Sequence, residues 1–178
     1  FLLTTSVLRI AMNLPAALYS IYWIRHLEAT DLWIGWQSTT SQIATIFGYA
    51  FWGRIIGRRG HFRPLLICTA GIGLYPVLTA LVPSQAWLPL VSIIQGFFVT
   101  GVNLSFFDTL LAVVPTERRP SFVSVNTMLA SLMIFVSPLI GSALASWIDI
   151  RGVFFTAAAI HLAAVVGFWV FRVADEAA

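Results

Sequence analysis

Two side chains stand out in a sequence that otherwise avoids charge: Arg9 and Asp108, each inside a long apolar stretch. A charge at the centre of a spanning helix costs roughly 2.5–3.5 kcal/mol on insertion scales, so it marks a substrate or ion path unless it escapes to headgroups or a loop partner. Arg9 lies in a stripe with Ser6, Asn13 and Ser20, whose spacings of 3, 4 and 7 place them on one helical face. Pro15 beside them removes a backbone hydrogen bond and predicts a kink. Gly101, Ser105 and Asp108 share a face of a second helix, and Asp108 falls at the same depth as Arg9, in the cytoplasmic third of the membrane. Opposite charges at matched depth predict a charge pair or a charge-lined vestibule, with Arg9, Asn13 and Asp108 lining or gating a solute path. The competing readings are snorkelling for Arg9 and pairing with Arg118 for Asp108.

Other polar groups fit packing as well as function. Ser38, Ser41, Gln42, Thr45, Tyr49 and Trp52 form a second stripe, which suits either a wet cavity or contact with a neighbouring helix. Gln95 points away from the Asp108 face and is expected to bond to another helix. Ser137, Gly141 and Ala145, with Pro138 among them, have the four-residue spacing that lets backbones approach closely. His161 stands alone in the last apolar stretch and reads as a packing residue before a proton carrier. Constellations that carry enzyme chemistry are missing: there is no His-Glu-x-x-His, no serine nucleophile motif and no phosphate-cradling loop. His26 and His61 fall on opposite sides of the predicted bundle, so the three histidines form no metal site. The single cysteine, Cys68, excludes a thiolate cluster. No cofactor is called for.

The elements that position these residues follow from composition. Of 178 residues, 59% are hydrophobic and 10% charged, with ten Arg and no Lys, and the mean hydropathy is +0.90. So few charges cannot coat a soluble globule, and they exclude a disordered chain or a nucleic-acid partner. The solvent is a lipid bilayer. Crossing about 30 Å of hydrocarbon takes roughly 20 apolar residues, and breaks at charged, Pro or Gly clusters divide the chain into spans at 4–24, 32–53, 64–82, 86–113, 121–147 and 152–172. The fold class is all-α integral membrane, a single bundle of six antiparallel transmembrane helices. Arg54, Arg58, Arg59, Arg63, Arg118, Arg119 and Arg172 fall on one side, Arg25 and Arg151 on the other. That asymmetry makes the first side, and both chain ends, cytoplasmic. Trp23, Trp33, Trp36, Trp52, Trp87, Trp147 and Trp169 all fall near predicted helix ends, where an indole suits the headgroup level. The first and last three helices carry their Arg-rich loops at offset positions, the mark of two three-helix inverted repeats. Phe1 opens on the edge of an apolar run, as expected for a piece of a longer protein.

The run from Trp52 to Leu66 reads WGRIIGRRGHFRPLL. It resembles the signature loop of the major facilitator superfamily: Gly53, Arg58 and Gly60 match, with His61 and Arg63 in the basic tail, while Gly57 stands where the family has an acid of the gate's charge network. Val114-Pro115 before Glu117-Arg118-Arg119, and Ser137-Pro138-Leu139-Ile140-Gly141, resemble features of the family's second half. The resemblance implies a second-half, six-helix bundle of a secondary transporter in the plasma (inner) membrane, not an enzyme. It further implies a first-half six-helix partner, a small-molecule substrate and a coupling proton. In that reading Gly53, Arg58 and Gly60 form a gating loop, Pro15 bends its helix, and Pro138 and Gly141 serve close packing. The alternatives are a non-transporting six-helix assembly or receptor subunit and, with less support, an intramembrane enzyme.

Overall fold

The computed structural model describes residues 2–171, and all regular structure among them is helical. Arg172 lies outside the described residues. The elements are α1 (Leu2–Asn13), α2 (Ala16–Arg25), α3 (Asp31–Arg59), α4 (Phe62–Leu81), α5 (Leu88–Val113) and α6 (Arg119–Phe171), with 3-10 turns at Gln85–Trp87 and Thr116–Arg118.

The boundaries differ from expectation in three informative places. The first span is two helices. Pro15 has no N–H to donate, the backbone at Pro15 leaves helical geometry (φ −87°, ψ 2°), and its carbonyl accepts from Leu18 and Tyr19 to start α2. The second span does not stop at position 53. It runs to Arg59, so Gly53 and Arg58 sit on helix and only Gly60, at φ 75°, makes the turn. The last two spans have no loop between them. The 53-residue α6 is broken by one residue, Asp149, at φ 66° and ψ 162°. A straight helix of that length would reach about 80 Å, far beyond a bilayer's hydrocarbon, so the single non-helical residue lets the two arms fold back on each other.

Among the described residues, four helical stretches are long and apolar enough to cross a membrane: Thr4–Arg25, Phe62–Leu81, Gln85–Thr109 and Arg119–Val170. The last contains both arms of α6. α3 has the length, at 29 residues, but its run from Gln37 to Thr45 holds seven polar side chains. Large apolar side chains face outward all around the bundle, Phe135 at 71% and Trp147 at 85% exposure among them. In water such a surface would aggregate; in hydrocarbon it costs nothing.

α5 is flanked by α3 and α4, α4 also packs on α6, and α1 and α2 pack on α6. Small residues and hydroxyls make the closest contacts. A Cβ on Gly96 would strike the Ser41 carbonyl, and one on Gly141 would strike the carbonyl of Leu14. Thr40 Oγ1 meets Ser92 Oγ at 2.7 Å, and Trp52 Nε1 donates to the Phe97 carbonyl at 3.0 Å. The α3 stripe therefore divides: Ser41, Thr45 and Trp52 bind α3 to α5, while Ser38, Gln42 and Tyr49 are exposed. The indole expectation also divides. Trp36, Trp87, Trp147 and Trp169 are exposed at helix ends, but Trp23 and Trp52 are buried core.

The apolar core lies in two clusters. One gathers Leu14, Leu18, Tyr19, Tyr22, Tyr75, Val91 and Phe154, at the end holding the α2–α3 and α4–α5 connections and Asp149. The other gathers Leu8, Trp52, Leu65, Cys68, Val102 and Phe168, at the end that holds the Arg-rich turns. At the first end, fully buried Tyr22 ties three helices together: its hydroxyl donates to the Ala80 carbonyl (3.3 Å) and accepts from Arg151 Nε (3.1 Å).

Candidate functional site

Beside the second apolar cluster, with that cluster's Leu8 and Val102 in its wall, lies a cavity of about 230 Å³. α1 supplies Thr5, Arg9, Met12 and Asn13, residues spaced along one helical face. α5 answers with Val99, Asn103 and Phe106, and the first arm of α6 adds Ile134. Asn103 is exposed, so the space is open on that side. Asn13 donates from Nδ2 to the Arg9 carbonyl at 2.8 Å, which fixes its amide at the rim just before the Pro15 break.

Arg9 is half-buried, and its guanidinium lies over the Phe106 ring, 5.2 Å from the centroid. Arg9 Nε and Thr5 Oγ1 are buried without a hydrogen-bond partner. A cation–π contact returns about 0.5–2 kcal/mol, less than the roughly 2.5–3.5 kcal/mol a central charge costs on insertion scales. The ring alone does not settle the charge.

Asp108 does not supply the difference. It lies two residues beyond Phe106, about 200° around the helix, and it is exposed outside the cavity lining. No ion pair joins it to Arg9 or to Arg118 among the described residues. The structure thus brings Arg9 and Asn13 together, adds Asn103, and sets Asp108 apart. Gly53, Arg58 and Gly60 lie at the Arg-rich end of α3, all exposed and away from the cavity. Gly141 is buried where the first arm of α6 crosses the Leu14–Pro15 break, so kink and close packing meet at one point. Pro138 lies one turn earlier, half-buried within α6.

A family model for the Major Facilitator Superfamily matches residues 1–178, the whole chain. The chain belongs to the major facilitator superfamily. Comparison with curated proteins returned no match. A major facilitator chain is an integral membrane protein of the transporter type, and the family is not one of enzymes.

This major facilitator chain also holds a feature that sequence reasoning passed over. A second cavity, of about 50 Å³, lies deeper in the bundle and is lined by Met12, Tyr19, Tyr75, Gln95, Val99 and His161. His161 is 2% exposed. Its Nδ1 lies 2.8 Å from the Ala157 carbonyl, and its Nε2 has no partner. Gln95, expected to bond to another helix, lines this space instead. At about 10–15 Å³ for each water, the cavity has room for several. No single-residue pattern points to the arrangement. The one available signal was that His161, Gln95 and Tyr75 are polar groups in three different apolar helices at similar depth.

Proposed function

We propose that this chain is one six-helix half of a secondary transporter, which moves a small solute by alternating access around the Arg9 cavity. The observation that carries the reading is the cavity beside the cluster at the Arg-rich end, an open space with Arg9, Asn13 and Asn103 around it. The solute path runs from there past Met12 and Val99 toward mid-depth, where rocking of one bundle against another exposes a solute to each side in turn. The six segments are α1 with α2, α3, α4, α5 and the two arms of α6, read as two inverted three-helix repeats. The partner is a first-half bundle facing the α1–α5 side. The Arg-rich end lies in the cytoplasm by the positive-inside rule, which makes both ends cytoplasmic and suits the plasma (inner) membrane. Gly53, Arg58 and Gly60 shape the cytoplasmic gate, and an ion or solute gradient, a proton gradient among the candidates, supplies the energy.

The test is solute counterflow in proteoliposomes holding the full-length protein, screened over a mixture of small metabolites. Uptake of at least one solute is expected. Asn13→Leu, which replaces a rim amide with an apolar side chain, should cut that uptake about tenfold or more with little change in thermal unfolding. Absence of counterflow for every solute would favour a non-transporting six-helix assembly.

A further inference from the structure

The cavity on α1 and α5 has one formal charge among its described lining residues, and that charge is positive. Arg9 lies over the Phe106 ring, and its buried Nε has no hydrogen-bond partner among the described residues. The described acids, Glu28, Asp31, Asp108, Glu117 and Asp149, all lie outside the lining. Around the guanidinium stand Thr5, with a buried hydroxyl lacking a partner, and Asn103 across the space on α5. Asn13 is pinned by its bond to the Arg9 carbonyl and keeps a second N–H for a ligand. One planar cation and three neutral donors, with no competing acceptor charge, form the donor set that complements an oxyanion, since a guanidinium fork matches two oxygens at once. Phe106 contacts the guanidinium through its ring face at 5.2 Å and offers its N–H groups no acceptor atom. A neutral solute would leave the Arg9 charge as uncompensated as it is without one.

We propose that this cavity is an oxyanion subsite, in which Arg9 receives a carboxylate, phosphate or sulfonate group assisted by Asn13, Asn103 and Thr5. This rests on the reading of the cavity as the solute path and narrows its substrate to anionic solutes. An anionic lipid headgroup has the same chemistry, so the source of the oxyanion is part of the test.

The full-length protein, purified in neutral detergent, is titrated with succinate, inorganic phosphate and methanesulfonate at constant ionic strength, with sorbitol and choline as neutral and cationic controls. Binding is read from thermal unfolding. At least one oxyanion should raise the midpoint while sorbitol and choline do not. Arg9→Gln should weaken that binding about ten- to a hundredfold, and Arg9→Lys, which keeps the charge but loses the fork, should fall between. If Arg9→Gln does not fold, Asn103→Ala carries the same comparison with a smaller loss. In a parallel arm, nanodiscs of phosphatidylglycerol and of phosphatidylcholine are compared. Stabilisation by the anionic lipid alone, lost in Arg9→Gln, assigns the oxyanion to a headgroup and overturns the anionic-solute assignment. No response to any oxyanion, or equal responses in wild type and Arg9→Gln, overturns the subsite. An anion that binds through Arg9 but shows no counterflow breaks the transporter reading and leaves the subsite standing. Counterflow of a neutral solute with no oxyanion binding breaks this inference alone.

Discussion

At the scale of single residues, the space around a glycine decides the sign of a substitution. Alanine is the better helix former by about 1 kcal/mol. At Gly57 a Cβ meets nothing within 4 Å, so Gly57→Ala should raise stability by up to that amount. At Gly141 the Cβ would run into the Leu14 carbonyl. Rigid backbone on the opposing side makes the overpacking cost, about 1–3 kcal/mol, exceed the propensity gain. Gly141→Ala should therefore lower the unfolding midpoint while Gly57→Ala raises it, and a thermal melt of the two variants in the same detergent checks both. Equal shifts would mean that the backbone at the α6 crossing over the Pro15 break yields to an added methyl group. The sequence singled out Gly141 by its spacing from Ser137 and Ala145, and it singled out Arg9 by charge. It paired Arg9 with Asp108 because depth along a helix is legible from residue counting. Which way a face turns is set by the partner helices. The periodicity of Val99, Val102, Asn103 and Phe106 defines the inward face of α5 and puts Asp108 on the far side, but only once α1 is known to lie opposite.

At the scale of elements, the apolar stretches and their charged breaks were legible because each is a property of contiguous residues. The ends were less so. The helical state continued through Gly53 to Arg59 because the helix needs no lipid to form there, and its Arg side chains extend into water while the backbone bonds go on. Conversely, three charged or turn-forming residues within Asp149–Gly152 promised a loop, yet a single change of backbone region at Asp149 was enough to reverse the chain. Orientation across the membrane remains a matter of charge. Arg59→Cys and Ser84→Cys, both at exposed positions on opposite ends of the bundle, should react from opposite sides with a membrane-impermeant maleimide. The Arg59 position should react only after permeabilisation. Cys68 is 0% exposed and should stay silent in both. Labelling of the two positions from the same side would overturn the antiparallel topology.

At the scale of the whole molecule, the open space inside the bundle is divided. Met12 and Val99 line both the Arg9 cavity and the smaller space around His161. Of these two shared residues one is a methionine, unbranched and freely rotating about three bonds. An apolar constriction controls whether water passes by whether it stays dry. Met12 and Val99 thus stand between the Arg9 cavity and an imidazole whose Nε2 lacks a partner. Shortening Met12 should wet the imidazole without touching it. Met12→Ala should speed the carbethoxylation of His161 by diethyl pyrocarbonate, detected by mass spectrometry of the peptide that carries it. Met12→Leu, which keeps the volume, should leave the rate near that of the parent chain. If the two variants react alike, the inner chamber fills by some other route, and hydration of the bundle's centre is not governed from the solute's side at all.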